Sequence, residues 1–182
     1  TVFRQWKAED THCRFLHGYG ISFKVYFEGD LDHRNWVWDF GGMKRAKTQI
    51  EGKSPKEWMD YMFDHTVIIA EDDPFVESFQ SIDKHGAAQV RVIPAVGAEK
   101  FAQFIFDKIN PFIKEETDGR VKVIRVEFRE HGKNSAIYEA ASSNEKLESA
   151  KIQLQEYINV NDSTGIIKLF KEYVEGYQND KN

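Results

Sequence analysis

The sequence predicts an α+β fold built on an antiparallel sheet, and three observations carry that expectation. Ile21, Phe23, Val25 and Phe27 alternate with more polar neighbours, and Val121 to Glu130 reads as the longest strand of the chain. A period of two marks a strand with one face buried. Between these strands lie helical patterns, among them a capped start at Ser54-Pro55-Lys56-Glu57 and an apolar face from Phe101 to Phe112. The coarse order is therefore two strands, helices, two strands and a helical tail, which is the succession of an α+β protein.

Taken in order, Val2-Phe3-Arg4-Gln5-Trp6 predicts a short first strand, followed by a polar connection through Glu9, Asp10 and Thr11 to Cys13. The strand over 21–27 ends in a turn at Gly29-Asp30-Leu31-Asp32. Trp36-Val37-Trp38 reads as extended, and Met43 to Ile50 as weakly helical. At Ser54 the helix start is strong: serine as N-cap, proline at the first helical position, and Glu57 placed to reach back. Trp58, Tyr61 and Met62 follow at helical spacing, and the β-branched run Val67-Ile68-Ile69 stops the helix near Asp64-His65-Thr66. Asp73-Pro74 opens a short helix closed at His85-Gly86, and Gln89 to Ile93 is a strand ended by Pro94. From Gly97, the apolar residues Phe101, Ile105, Ile109 and Phe112 recur as one helix face. Asp118-Gly119 is a turn, and His131-Gly132-Lys133-Asn134 is a hairpin loop into Ser135–Tyr138. Two further amphipathic helical patterns follow Ser143. The domain organisation expected is one domain over 1–142 and a helical extension over 143–182.

Composition excludes several classes. A formal net charge of −5 argues against a nucleic-acid binder held by a general positive field. One cysteine cannot form an internal disulfide, which favours a reducing, cytoplasmic setting. No apolar run approaches the ~20 residues of a membrane span, and a signal-peptide pattern is missing at the start.

Three places carry candidate chemistry. The stretch from His12 to Gly20 holds the only cysteine, Cys13, together with His17, on a loop that enters a strand. The plain alternative is a structural cysteine beside a surface histidine. An unperturbed thiol has a pKa of about 8.5, so Cys13 needs a cation or an imidazole nearby to act as a base. Asp64-His65 offers such a relay pair at a helix end, or else a simple cap. Glu130 is the most telling, because by strand parity it continues the apolar face of Ile124, Val126 and Phe128. A carboxylate there must reach water at the sheet rim, pair with a cation, or await a ligand.

Cys13-x-x-x-His17-Gly18 followed by an alternating strand resembles the 6-pyruvoyltetrahydropterin synthase / 6-carboxytetrahydropterin synthase family, whose usual form is Cys-x-x-x-His-Gly-His. Phe63-Asp64-His65-Thr66 falls where that family carries an Asp-His dyad. Trp36-Val37-Trp38-Asp39-Phe40-Gly41-Gly42-Met43-Lys44 and Gly97-Ala98-Glu99-Lys100-Phe101-Ala102 are similar to two more of its segments, with Gly97 in place of a threonine. Glu130, eight residues before Tyr138, matches the family's anchoring glutamate, although His131 stands where threonine usually follows. The matches span roughly residues 3 to 140.

The resemblance implies the tunnelling fold: a four-stranded antiparallel sheet with helices on one face, assembled as a homo-oligomer, a hexamer, with sites between subunits. It implies proton-transfer roles for Cys13, Asp64 and His65, and substrate contacts for Glu130, Glu99 and Tyr19. The reaction implied is a carbon–oxygen or carbon–carbon lyase step on 7,8-dihydroneopterin triphosphate, giving a 6-pyruvoyl product or the 6-carboxy product of queuosine biosynthesis. Arg4, Lys7 and Arg14 are candidates for its triphosphate. The family's zinc is held by three histidines. Here only His17 is in place, Phe3 and Tyr19 standing at the other two positions, with His12 or His33 as possible substitutes. The alternative implied is a pterin- or purine-binding relative that has lost the zinc site and catalysis.

Overall fold

Seven strands and four helices follow one another in a computed structural model that describes residues 1–141; the helical readings beyond Ser143 lie outside the described residues. The elements are β1 (Val2–Phe3), β2 (His17–Gly18), β3 (Ser22–Gly29), α1 (Gly42–Arg45), α2 (Pro55–Phe63), β4 (Val67–Ala70), α3 (Val76–Lys84), β5 (Val90–Ile93), α4 (Ala98–Glu116), β6 (Val121–His131) and β7 (Asn134–Glu139). No helix among the described residues is long and apolar enough to cross a membrane.

The α+β class and the four-stranded sheet are present, but that sheet is mixed rather than wholly antiparallel. Its order is β2-β1-β4-β5, with β1 antiparallel to β2 and parallel to β4, and β4 parallel to β5. Parallel neighbours require a crossover between them. Here α3 is the crossover from β4 to β5, and everything from β2 to α2 lies between β1 and β4. The antiparallel strands predicted over 21–27, 121–130 and 135–138 form a separate three-stranded sheet of order β3-β6-β7.

Helix α2 starts as its sequence dictates. Ser54 Oγ accepts from the Glu57 N–H while the Glu57 carboxylate accepts from the Ser54 N–H, a reciprocal capping box. These bonds hold the Glu57 carboxyl below its ordinary range. Trp58, Met59, Met62 and Phe63 turn inward from α2, and Phe101, Ile105, Ile109 and Phe112 from α4. They meet Val121, Val123, Val126 and Phe128 of β6 in one core. A switch of parity from odd to even along β6 comes from a bulge opposite Tyr26/Phe27 that leaves Ile124 out of register. The opposite face of β6 is polar, where Glu127 accepts from Arg129 Nε at 2.7 Å.

Three local expectations differ. The first strand stops at Phe3 because Gln5 N–H leaves the sheet to donate to Cys13 O at 2.8 Å. Trp36–Trp38 forms no ladder, since Asp32 folds the segment by accepting from the Arg34 and Trp36 N–H groups. Only Gly42–Arg45 of the predicted 43–50 stretch is helical.

Candidate functional site

Register sets the centre of the site. Phe3 of β1 lies opposite His17 of β2, and Tyr19 N–H continues the pairing by donating to Thr1 O at 3.1 Å. Alternate residues of an extended segment share a face, so His17 and Tyr19 point the same way while Gly18 points the other. Three rings thus converge, with centroids 4.6 Å apart for Phe3–His17, 5.4 Å for His17–Tyr19 and 6.1 Å for Phe3–Tyr19. Phe3 is fully buried and meets Phe101 of α4 edge to face. His17 Nδ1 lies 2.7 Å from Phe15 O; a carbonyl only accepts, so Nδ1 carries the proton and Nε2 of the neutral ring keeps its lone pair.

Cys13 is half-buried in a single 3-10 turn, His12–Arg14. Thr11 Oγ1 accepts from its N–H, and Gln5 holds its carbonyl, so the backbone that carries the thiol is tied at both ends. Glu130 lies in a second bulge. Arg129 pairs with Ser135 and His131 with Asn134, leaving Glu130 unpaired, while β3 ends opposite Arg129. The parity reading of Glu130 is therefore modified: the bulge, rather than simple alternation, sets its direction. Burial is the largest cause, ahead of charge at Glu130 and Cys13, that raises the Tyr19 phenol above its ordinary value. A phenol raised in this way stays protonated at neutral pH and can donate a hydrogen bond.

The Asp64-His65 pair is formed at the C-terminal end of α2. His65 adopts a left-handed backbone, φ 54°, and its Nδ1 donates to Asp64 Oδ1 at 2.8 Å. Thr66 secures the turn into β4, donating to Met62 O at 2.8 Å. Both side chains of the pair are open to solvent, 86% for His65 and 68% for Asp64. Asp64 lines a cleft of about 290 Å³ together with Tyr19, Thr1, Ile21, Phe23 and Met59. Asp64 of the pair and Tyr19 therefore border one cleft, while His65 lines a separate one with Asp83, Gly86 and Gln89.

Glu99 stands exposed in the first turn of α4. Gly97 before it has φ 121° and ψ 159°, a conformation essentially reserved for glycine. A Cβ there would lie 2.6 Å from Gln5 Nε2, so the Gln5 side chain occupies the space that a threonine would need. Of the cations proposed for a phosphate, Arg4 is committed to Asp73, at 3.0 Å from a carboxylate that is fully buried, and Lys7 is paired with Asp72. Arg14 is exposed, donating to Glu9 O.

Sequence reasoning placed His131 only in a hairpin loop. In the structure it ends β6, its ring 5.5 Å from that of Tyr19. The departure from threonine at this position was the one sequence signal that marked it. Gln5, which braces both Cys13 and Gly97, had no such signal.

A model of the 6-pyruvoyl tetrahydropterin synthase family matches residues 3–141. The chain belongs to that family. Members of the 6-pyruvoyl tetrahydropterin synthase family are lyases of pterin metabolism that act on small pterins. Among solved structures, an uncharacterized protein from Wolinella succinogenes is similar at 21% identity and a TM-score of 0.61, over 77% of this chain and 92% of its own. That likeness is one of fold. A catalytic-residue mutant of Plasmodium vivax 6-pyruvoyltetrahydropterin synthase is similar at 14% identity and a TM-score of 0.48, over 70% of this chain and 83% of its own. No curated protein matches.

Within this family frame, the three converging rings occupy the positions expected for the zinc-binding histidines. Their donor set does not fit the ion. Phe3 has no donor atom, Tyr19 offers a phenol whose loss of a proton is made harder by burial, and His17 alone presents a free imidazole nitrogen. A catalytic zinc takes three such protein ligands and leaves a fourth position open. His12 and His33 are both exposed, and no group of three or more His, Cys, Asp or Glu among the described residues is placed to hold a metal.

Proposed function

We propose that the protein is a tetrahydropterin synthase-type lyase that acts on the side chain of 7,8-dihydroneopterin triphosphate. Glu130 anchors the ring by accepting from its two adjacent N–H groups, Cys13 moves protons at the side chain, and Tyr19 stabilises the oxygen beside them. The observation that supports this reading is the place of Tyr19, its ring 5.4 Å from that of His17 and 5.5 Å from that of His131, on the cleft that Asp64 also lines. A donor fixed beside a developing oxyanion is worth several kcal/mol in a dry site. Here the phenol supplies that donor, and no step is assigned to zinc. Asp64, which lines the cleft, and His65, which donates to it, exchange the proton with water. The triphosphate extends towards Arg14, the member of the cation set with no carboxylate partner among the described residues. Functional sites in this reading lie near subunit boundaries of a homo-oligomer.

A second reading has its own support. Phe3 and Tyr19 remove two imidazoles from the expected metal position, which favours a pterin- or purine-binding relative without turnover. Incubation of the purified chain with 7,8-dihydroneopterin triphosphate, with the 6-pyruvoyl and 6-carboxy products separated by chromatography, tests both. Product that disappears in Cys13→Ala is the result expected of the lyase. Pterin binding that depends on Glu130, with no product from wild type, would overturn the lyase in favour of the binder.

A further inference from the structure

The bulge that leaves Glu130 unpaired also delivers His131 to the site. The His131 ring lies 5.5 Å from that of Tyr19, at an interplanar angle of 56°. Its hydrogen-bonding state is fixed by the hairpin. The Lys133 backbone N–H donates to His131 Nδ1 at 3.2 Å. A backbone N–H can only donate, so Nδ1 holds a lone pair and the ring proton is on Nε2. His17 is the opposite tautomer, with its proton on Nδ1. One residue after Glu130, whose carboxylate accepts, the chain therefore carries an imidazole N–H, which donates.

We propose that His131 reads the atom at position 4 of the pteridine ring and selects a 4-oxo ring over a 4-amino one. The proposal rests on the pterin reading of Glu130 given above. A carboxylate that accepts from the ring N3–H and the 2-amino group leaves position 4 next along the same edge. In a pterin that position carries a carbonyl oxygen, which the His131 Nε2–H can meet as donor to acceptor. In the 2,4-diamino analogue position 4 carries an amino group that opposes the His131 N–H, and N3 carries no hydrogen, so one of the two donors to Glu130 is also lost and the effect of His131 is read as the change between variants for each ligand. A threonine hydroxyl both donates and accepts and would tolerate either, so the histidine at this position adds a choice that the family's usual residue does not enforce.

The test compares pterin with 2,4-diaminopteridine, each titrated by fluorescence into the full chain. His131→Phe keeps a ring against Tyr19 and removes the N–H; His131→Gln retains an N–H donor. The expected result is that His131→Phe weakens pterin binding about tenfold, the scale of one neutral hydrogen bond, with 2,4-diaminopteridine changed by less than about twofold. His131→Gln then recovers part of the loss. Equal losses for both ligands in His131→Phe, or no change in either, would overturn the assignment, and pterin binding that still depends on Glu130 would leave the pterin reading standing. If Glu130→Ala leaves pterin binding intact, the pterin reading falls and His131 selectivity with it.

Discussion

If Phe3 and Tyr19 occupy the places of two metal-binding imidazoles, returning histidines to both should rebuild the site. The three ring centroids are 4.6, 5.4 and 6.1 Å apart. On a tetrahedral zinc with Zn–N bonds of about 2.0–2.1 Å, and a ring centroid about 1.1 Å beyond each nitrogen, three imidazoles sit about 5–5.5 Å apart. The existing backbone thus presents the rings at nearly the right separation. His17 also has its Nδ1 proton on Phe15 O, the outer hydrogen bond that orients a ligating imidazole. Without metal, the Phe3→His/Tyr19→His variant should be less stable by on the order of 2–4 kcal/mol, because Phe3 is fully buried and an imidazole in its place lacks a partner. Zinc at 100 times its Kd returns about 2.7 kcal/mol by mass action. The assay is metal content after dialysis, with thermal melting in the presence of zinc and of chelator. The double variant should hold one zinc per chain and regain most of its lost melting temperature, while wild type and either single variant retain far less. A folded double variant that takes up no zinc and shows no thermal shift would refute the placement of these three positions around a common point.

Three further outcomes follow from the local geometry. Cys13→Ala should lower product formation from 7,8-dihydroneopterin triphosphate by about 10²–10⁴-fold, the usual scale of a lost acid–base group, while pterin binding measured by titration stays within a few-fold. Gly97→Ala should destabilise the fold by about 1–3 kcal/mol in thermal melting, because its backbone conformation is essentially glycine's alone. Adding Gln5→Ala removes the 2.6 Å approach and recovers only the steric share of that loss. Glu57, held below its ordinary pKa by Ser54, contributes stability that is complete above the unfolded carboxyl value of about 4.3 and is lost as pH falls through the lower folded value. Urea melts from pH 7 to 3 should therefore show Glu57→Gln less sensitive to acid than wild type, and Ser54→Ala, which keeps the backbone N–H and loses only the hydroxyl, less stable at neutral pH by about 1 kcal/mol but with most of the acid sensitivity retained.

How much of this was legible in the sequence depends on the range of the interactions concerned. The α2 start was readable at Ser54-Pro55-Lys56-Glu57 because a capping box is complete within four residues. The β3 and β6 strands were readable because burial on one face imposes a period of two. Their hidden features were the two bulges, at Ile124 and Glu130, since each depends on which partner residue is skipped. The parallel pairings of β4 were hidden for the same reason: a run such as Val67-Ile68-Ile69 reports burial but not the direction of its neighbours. Within the site, Cys13, Tyr19, Asp64 and Glu130 were named from local motifs. The approach of the His131 ring to that of Tyr19 joins residues more than a hundred positions apart, and no local pattern encodes it.

The departures from the family pattern also bear on one another. Phe3 touches Tyr19, Tyr19 touches His131, and Gly97 leaves room for Gln5, whose N–H holds the carbonyl of Cys13. A metal site that had simply decayed would leave stranded polar atoms or a void where the ion's ligands were, and either costs stability. Neither is found at these positions. Phe3 fills its place against Phe101 with no exposed surface, both His17 and His131 have their Nδ1 atoms satisfied, and the Gln5 side chain fills the space over Gly97. The substitutions form one contiguous replacement, apolar at its base and hydrogen-bonding at its rim. At its rim the His131 ring lies 5.5 Å from that of Tyr19, beside the bulge that leaves Glu130 unpaired, and these are the donor and acceptor types that the proposed recognition of a flat, polar heterocycle requires.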